Sequence, residues 1–300
     1  MSGNTSFFDR LRVELRDALE LVLLPRLAVL LPWDACFALF RRMARWEWLY
    51  REACEEALDE ARRRGALRPD DEARWLYEQR LVMLVNHADL YLSRRRSDAW
   101  MAHWLDVKGE WPPPSMGAGV LCTFHYGAGM WGLRQAAHAR MRANALVAPL
   151  DAEHFQGRNV RWRYVLARTR EMARALGRPV REASKSMRSA LRAFENGELV
   201  LAVVDAPANA GSGAIMQPSA HGLALLRLAV EFKMPVTVYS TLLDVNTGRR
   251  ILRIEQVDAG GNIASVEELT ARVFAHLERL MQRDTAAWHF WSEAERFFVR

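Results

Sequence analysis

A histidine followed by closely spaced glycines is the strongest candidate for chemistry in this sequence. Residues 119–132 read GVLCTFHYGAGMWG, so an apolar run leads to His125, and Gly127 and Gly129 follow at once. An imidazole titrates near neutral pH and can act as a general base. Glycines let a substrate approach the backbone, and the start of a helix offers N–H donors to a developing anion. The segment therefore predicts a catalytic base beside an anion-stabilising turn.

The same glycines fit a second kind of site. Gly127, Gly129 and Gly132 form a Gly-x-Gly-x-x-Gly pattern, and Asp151 stands at the end of the next predicted strand. This pattern is typical of a dinucleotide-binding turn, in which the acid binds a ribose hydroxyl. Two bulky residues just before Gly127 and the long stretch of chain that precedes the turn argue against it. A dinucleotide-binding oxidoreductase remains an alternative.

Strands and helices alternate in the second half of the sequence and would position these residues. Short apolar segments predict strands at 119–124, 144–149, 198–204 and 235–244. Helical patterns between and after them fall at 130–141, 160–176, 184–194 and 219–232. A turn at 246–248 predicts an antiparallel strand at 249–257, and a capping box at 265–268 predicts a helix to Arg283. This order predicts an α/β fold, with a mixed, mainly parallel sheet flanked by helices. In open sheets of this kind ligands bind at the carboxyl ends of strands, where His125 stands.

The amino-terminal part of the sequence is predicted to be helical. Residues 1–111 show helical spacing, with a stop at Gly65 and a new start at Pro69, until three prolines at 112–114 interrupt the pattern. We place a boundary there, between an amino-terminal helical region (1–111) and an α/β core (115–300). We expect the core to be a compact unit.

The composition of the 300 residues is that of a globular protein, since 50% are hydrophobic and 26% are charged. Three cysteines cannot form a disulfide framework, which favours a reducing, cytoplasmic setting. The net charge is +6, and nearly all the cations are arginine. Either the genome favours arginine codons, or the surface meets phosphates of lipid head groups, of a phosphopantetheine carrier or of nucleic acid.

The segment 19–31 is the most lipid-like part of the chain. Glu20, Pro25 and Arg26 interrupt it, so it predicts no membrane span. Arg10, Arg12 and Arg16 precede it, and Arg41, Arg42 and Arg45 follow it. An apolar segment with such flanks can lie in a membrane interface. The alternative is a helix buried on the protein's own core.

The residues around His125 resemble the lipid A late acyltransferases, the lauroyl and myristoyl transferases of Gram-negative envelopes. That family carries a strand ending in His-Phe-Gly-Asn-Trp-Glu, a form of His-x4-Asp/Glu, and His125-Tyr126-Gly127 matches its first three positions. Further features recur in order: a basic stretch at 159–174, Asn-Gly-Glu at 196–198, an apolar strand ending in Asp205, a glycine-bearing loop at 219–222, a Pro-Val strand at 235–236 and an aromatic-basic segment at 288–297. The likeness covers most of the chain after about Phe7.

The resemblance implies transfer of a fatty acyl group from a thioester of acyl carrier protein or coenzyme A to a hydroxyl or amine of a lipid or metabolite. It implies no metal and no prosthetic group. With the segment 19–31, it implies a peripheral place on the cytoplasmic face of the inner membrane, and nucleic acid is not among the expected partners. By the same likeness His125 is the general base, and the substrate-binding residues are Tyr126, Gly127, Gly129, Met130, Arg170, Arg174 and Gly222.

The sequence departs from this family at the position that should hold the acid. The fifth residue after His125 is Met130 rather than a carboxylate. Methionine cannot fix the tautomer of an imidazole, because its thioether accepts hydrogen bonds only weakly. We predict that Asp205 supplies the acid from the end of a neighbouring strand, with Glu182 and Asp151 as weaker candidates. The alternatives are a lost acid, which leaves a catalytically inactive binding protein of a lipid pathway, and a methionine that widens an apolar acyl pocket.

Overall fold

The apolar segments of the second half of the chain form most of its strands. The structure, a computed structural model, describes residues 7–147, 152–182, 186–205, 215–216, 220–263, 265–296 and 298–299. The strands within these ranges are β1 (Leu105–Lys108), β2 (Gly119–Thr123), β3 (Ala143–Val147), β4 (Arg181–Glu182), β5 (Leu199–Val203), β6 (Ile215–Met216), β7 (Val236–Leu243), β8 (Arg250–Asp258) and β9 (Phe298–Val299). The α-helices are α1 (Phe7–Ala18), α2 (Leu24–Leu30), α3 (Trp33–Met43), α4 (Arg51–Arg63), α5 (Glu72–Arg95), α6 (Asp98–His103), α7 (Met130–His138), α8 (Asn159–Leu176), α9 (Ser186–Glu195), α10 (Ala220–Glu231) and α11 (Val266–Arg283).

Seven strands of the described residues form one sheet, in the order β1-β8-β7-β2-β5-β3-β4. At its centre β2 is parallel to both β5 and β7, and β3 and β4 continue the parallel part. On the other side β8 runs antiparallel to β7, and β1 pairs in parallel with β8. Helices pack on these strands, among them α10 on β2 and β5 and α8 on β3. The predicted mixed, mainly parallel sheet flanked by helices is therefore confirmed.

The predicted boundaries of the main strands agree with the structure to within about two residues. The capping box is also present, because the Ser265 hydroxyl accepts a hydrogen bond from the Glu268 backbone N–H at 3.1 Å and α11 begins there. Pro149, Asp151, Ser184 and Ser219, which the sequence places at or near the ends of predicted elements, lie outside the described residues.

The described part of the region predicted to be helical contains one strand. Leu105–Lys108 forms β1, which pairs with the first four residues of β8 and forms one edge of the sheet. The strand is short and half its residues are exposed, so it carries no alternating apolar pattern that sequence analysis could detect. Its pairing partner lies far along the chain.

A buried ion pair joins the amino-terminal helices to the sheet. Arg250 at the start of β8 donates to the Asp89 carboxylate of α5 at 2.5 Å and to the Gly248 carbonyl at 2.7 Å. Its guanidinium lies between the rings of Trp33 and Trp131, 4.4 Å and 4.3 Å from their centroids. Burial raises the pKa of Asp89 to about 6, although the charge of Arg250 lowers it. Neither residue can lose its partner without leaving a charge in the core.

The segment 19–31 packs mainly on the protein. Residues 19–23 form a π-helical turn between α1 and α2, and α2 packs along α5. Leu21 and Ala28 are buried, while Leu23 and Leu30 are exposed. Among the described residues, no helix has both the length and the apolar character needed to cross a membrane. Most of this segment thus takes the alternative arrangement, a helix on the protein's own core.

Candidate active site

The carboxyl ends of β2 and β5 bring two of the predicted site residues together. β2 is buried along its whole length and β5 along all but its last residue, and they run in parallel with residue 123 paired to residue 203. Two residues beyond each of these positions the chain reaches His125 and Asp205. The Val204 backbone N–H donates to the Thr123 carbonyl at 2.9 Å, which continues the pairing past the last strand residues. Parallel neighbours end at the same edge of a sheet, so the two side chains share one site.

Asp205 holds His125 through both its backbone and its ring. The His125 backbone N–H lies 2.9 Å and 3.0 Å from the two carboxylate oxygens, and Nδ1 of the ring lies 3.0 Å from Oδ1. Asp205 is fully buried, whereas the His125 side chain is 38% exposed. Because an ionised carboxylate only accepts hydrogen bonds, Nδ1 carries the proton and Nε2 remains an acceptor. This is the arrangement of a general base that an acid orients.

A third group also binds the carboxylate. The indole Nε1–H of Trp288 donates to Asp205 Oδ2 at 2.9 Å. The buried carboxylate therefore receives N–H donors on both oxygens, and the side chain cannot rotate without losing them. Trp288 belongs to a carboxyl-terminal segment, 285–291. Sequence analysis did not predict that this segment takes part in the site.

The same segment contacts the turn that follows β2. The His289 backbone N–H donates to the His125 carbonyl at 2.9 Å, and Nε2 of the His289 ring lies 2.7 Å from the Gly127 carbonyl oxygen. Burial lowers the pKa of His289 to about 4, so the ring is neutral at physiological pH and Nε2–H is the donor. The Phe290 ring lies against that of His125, with 4.2 Å between the centroids. The aromatic segment therefore adds contacts that hold the base in place besides those of Asp205.

The glycines of the turn are explained mainly by packing. Gly127 has a φ of +63°, and a Cβ at this position would lie 2.2 Å from the Thr241 carbonyl oxygen. A Cβ at Gly132 would lie 2.6 Å from the Tyr239 ring. The backbone N–H groups of Gly127 and Ala128 donate to the carbonyls of residues 287 and 241. They are not available to a pyrophosphate, which removes the main support for the dinucleotide-binding alternative.

Next to the base lies a cavity of about 260 Å³. Its apolar walls come from the turn after β2 and from α7, α8 and β5. These side chains are Phe124, Met130, Leu133, Met172, Leu201 and Val203. The titratable groups that line it are His125, His87, His289, Arg168 and three tyrosines. A mainly apolar cavity beside a base suits a substrate with a hydrocarbon part.

Three of the other predicted substrate-binding residues line this cavity. Met130, 1% exposed, and Gly129 lie where α7 begins. Tyr126 also lines it, although its hydroxyl is used within the protein: it donates to the Asp284 carbonyl at 2.6 Å and lies 3.0 Å from that of Leu280.

The predicted basic residues of α8 lie elsewhere. Arg174 binds the Glu171 carboxylate, with 2.9 Å between Nε and Oε2, and Arg170 is exposed outside the cavity. Instead Arg168 lines the cavity, where it donates to the Asn86 side chain at 2.8 Å. The face of α8 that meets the cavity is set by its packing on α5 and α7, which the sequence pattern did not reveal.

The remaining predicted positions take no part in the cavity. Gly222 is buried near the start of α10 and does not line it. Of the weaker candidates for the acid, Glu182 lies in β4 at the far edge of the sheet, and Asp151 is outside the described residues.

A second histidine also stands between a serine and a carboxylate. His276 of α11 lies 3.1 Å from the Ser240 hydroxyl through Nε2 and 2.8 Å from Glu255 Oε2 through Nδ1. Ser240 is 1% exposed in the middle of β7, and neither residue lines the cavity. A nucleophile that substrate cannot reach is structural, so this array ties α11 to the sheet.

The likeness of this chain to known proteins lies in structure. No family model matches the chain, and no curated protein is similar to it. Among solved structures it is similar to the 1-acyl-sn-glycerophosphate (LPA) acyltransferase PlsC from Thermotoga maritima, at 16% sequence identity and a TM-score of 0.40. The alignment covers 85% of this chain and 97% of that one. An identity this low assigns no residue, so the roles of His125 and Asp205 rest on their own geometry.

Proposed function

We propose that the chain is an acyltransferase. It moves a fatty acyl group from a thioester of acyl carrier protein or coenzyme A to a hydroxyl or amine of a lipid or metabolite. The observation that carries the proposal is the His125–Asp205 pair beside a mainly apolar cavity. The base can deprotonate the acceptor, and the apolar walls can hold the acyl chain.

The proposed reaction needs only the groups of this site. Nε2 of His125 takes the proton of the acceptor hydroxyl as its oxygen attacks the thioester carbonyl carbon. The new C–O bond forms, the carbonyl oxygen takes the negative charge, and Asp205 stabilises the imidazolium through Nδ1–H. When the carbonyl re-forms, the C–S bond breaks and the imidazolium returns its proton to the sulfur. The products are an ester, or an amide from an amine, and a free thiol.

The start of α7 supplies the donors for the oxyanion in this proposal. The first N–H groups of a helix have no partner within it, and those of Gly129 and Met130 come first here. A Cβ at Gly129 would meet no atom within 4 Å, so the backbone can be approached closely. Unlike the expectation from sequence, Gly127 does not contribute, because its N–H is bound to the protein.

Release of thiol from acyl-coenzyme A tests the proposal. We expect a chain-length series of acyl-coenzyme A thioesters, and the matching acyl carrier protein thioesters, to lose acyl groups in the presence of the protein. Lipid mass spectrometry of cells with and without the protein would identify the ester or amide that is formed. A protein that binds these thioesters without cleaving any of them would be a binding protein of a lipid pathway, and the proposal would fail.

We further propose that the protein reaches its substrates at a membrane surface through α1. The exposed apolar side chains of this helix are Phe7, Phe8, Leu11 and Leu15, and we call them the α1 surface. Phe7 is 73% exposed and Phe8 is 76% exposed. Arg10 and Arg12 lie among them and are exposed as well. Apolar side chains at helical spacing with cations beside them suit the interface of an anionic bilayer.

Flotation with anionic liposomes tests the α1 surface. We expect the protein to float at low salt and less at high salt, because each arginine near the surface contributes about 1 kcal/mol that salt screens. Replacing Phe7 and Phe8 together by serine should abolish flotation, whereas Phe232→Ser should not. Phe232 is a matched control, since it is 51% exposed but lies outside α1. A protein that stays in the pellet at both salt concentrations contradicts the proposal.

A further inference from the structure

One wall of the cavity beside His125 is polar. Asn86 and His87 of α5 and Tyr164 and Arg168 of α8 line it together. Arg168 donates to the Asn86 backbone carbonyl at 3.2 Å, to the Asn86 side-chain oxygen at 2.8 Å and to the Tyr164 hydroxyl at 3.2 Å. The rings of His87 and Tyr164 meet edge to face, with 5.3 Å between their centroids. We call these four residues the α5–α8 polar cluster. The reaction proposed above uses none of their side chains.

The amide nitrogen of Asn86 has no hydrogen-bond partner among the described residues. A guanidinium can only donate, so the amide oxygen is the atom that faces Arg168, and Nδ2 keeps its two N–H groups for other partners. Asn86 is only 8% exposed, and it lines the cavity. Because a buried N–H without a partner is costly, a ligand in the cavity gains by supplying an acceptor.

His87, the next residue of α5, presents an acceptor to the same cavity. The Tyr50 hydroxyl lies 2.9 Å from the Glu20 carbonyl oxygen and 2.9 Å from His87 Nδ1. A carbonyl only accepts, so Tyr50 donates to it, and His87 donates Nδ1–H to the Tyr50 oxygen. Nε2 of His87 is then an acceptor, and no residue that the structure describes donates to it. Burial, more than the charge of Arg168, holds the pKa of His87 well below its ordinary value, so the ring is neutral.

A hydroxyl group is the ligand group that can pair with both of these atoms. It can accept from Nδ2 of Asn86 and donate to Nε2 of His87. A carboxylate or a ketone only accepts and would turn a lone pair toward His87. An unsubstituted hydrocarbon would exclude water from the wall and leave both atoms unpaired. Since the other walls are apolar, the ligand that fits this cavity is a hydrocarbon chain that carries a hydroxyl.

We propose that the acyl group transferred from the thioester is a hydroxyacyl group, whose hydroxyl binds to the α5–α8 polar cluster. The inference rests on the proposed function. His87 lies near His289, whose ring binds the Gly127 carbonyl of the catalytic turn. The hydroxyl therefore belongs close to the thioester end of the chain, on its second or third carbon. It takes no part in the exchange of bonds, in which the C–S bond breaks and the C–O or C–N bond forms as described above.

Thiol release from dodecanoyl-, 2-hydroxydodecanoyl- and 3-hydroxydodecanoyl-coenzyme A tests this inference. We expect kcat/KM for the better of the two hydroxyacyl thioesters to exceed that for dodecanoyl-coenzyme A by at least about tenfold, because the plain chain leaves buried polar atoms unpaired. The thioester arm is the same in all three, so its contacts cancel in the ratio.

Variants of the α5–α8 polar cluster should remove this preference. Asn86→Leu replaces the amide by an apolar group of similar size and should lower the ratio by about tenfold. His87→Asn keeps an N–H donor for Tyr50 but removes the Nε2 acceptor, so it should lower the ratio as well and serves if Asn86→Leu does not fold. Met172→Leu is the matched control, since it changes an apolar wall of the same cavity and should leave the ratio unchanged.

Two results would overturn the inference. One is equal or faster cleavage of the plain thioester by the parent protein. The other is a folded Asn86→Leu variant that keeps the ratio, including one that slows all three thioesters alike, which would place the thioester arm at the cluster. Calorimetric binding of 3-hydroxydodecanoate and dodecanoate separates this inference from the proposed function. If the thioesters are cleaved without preference, only this inference fails. If no thioester is cleaved and the hydroxylated acid still binds more tightly, the proposed function fails, and the assignment of the chain as a transferred group fails with it.

Discussion

His125→Ala is expected to reduce acyl transfer by about 10²- to 10⁴-fold, the range that a positioned general base contributes. The substitution removes Nε2, the nitrogen that would take the acceptor's proton. The backbone N–H of residue 125 still donates to Asp205, and Trp288 still donates to the second oxygen. The buried carboxylate therefore keeps partners, and the variant should remain folded. Thiol release and circular dichroism, measured on the same sample, would show both effects.

An exposed histidine outside the site provides the control for this prediction. His103 ends α6 and does not line the cavity beside His125. His103→Ala should therefore keep the activity of the parent protein. A folded His125→Ala variant with normal turnover would show that another group is the base.

The position of the His125–Asp205 pair could be predicted from the sequence because each residue follows a buried apolar strand. The apolar runs that end near residues 123 and 203 predicted β2 and β5, and the alternation of strands and helices predicted a parallel sheet. Neighbouring parallel strands end at one edge, so both side chains were expected at the same rim. The strand order then decides the distance between His125 and Asp205. The two residues lie close together because residues 123 and 203 are paired directly.

The other contacts of the pair could not be predicted in this way. Trp288 and Phe290 reach the site from the end of the chain, and their sequence shows only that the segment is aromatic. No local pattern specifies which turn such a segment packs against. The same limit explains why Arg168, rather than Arg170 or Arg174, meets the cavity. Helical spacing shows which residues share a face of α8, but packing on α5 and α7 decides which face is turned inward.

Asp205→Asn is expected to lower acyl transfer by at least about tenfold, and by up to about 10⁴-fold if the pair behaves like the acid of a serine protease triad. Asparagine has the same shape, but its amide nitrogen donates where the carboxylate accepts. One of the N–H groups now directed at the carboxylate must therefore face another donor. The ring can relieve this by moving its proton to Nε2, which leaves no acceptor for the substrate's proton. The loss should appear in kcat, with the fold unchanged.

Trp288→Phe separates the effect of the tautomer from the effect of one lost hydrogen bond. It removes the indole N–H from Asp205 Oδ2 and leaves the contact between Nδ1 and Oδ1 in place. We therefore expect a smaller loss of activity than for Asp205→Asn. An equal loss in the two variants would show that the orientation of the carboxylate, and not the position of the ring proton, limits the reaction.

Met130→Glu, which restores the carboxylate of the family pattern, is expected to bring no gain in activity. Nδ1 of His125 is already bound to Asp205 at 3.0 Å, so a second acid finds no free donor on the base. Met130 is also 1% exposed on an apolar wall, where an unpaired carboxylate is costly. Met130→Gln is the matched control, because glutamine is similar in size to glutamate and carries no charge. Both variants should lose activity through the changed wall, and the glutamate variant should lose at least as much as the glutamine variant. A large gain in activity from Met130→Glu, together with unchanged activity in Asp205→Asn, would mean that the chain lost its acid without replacing it.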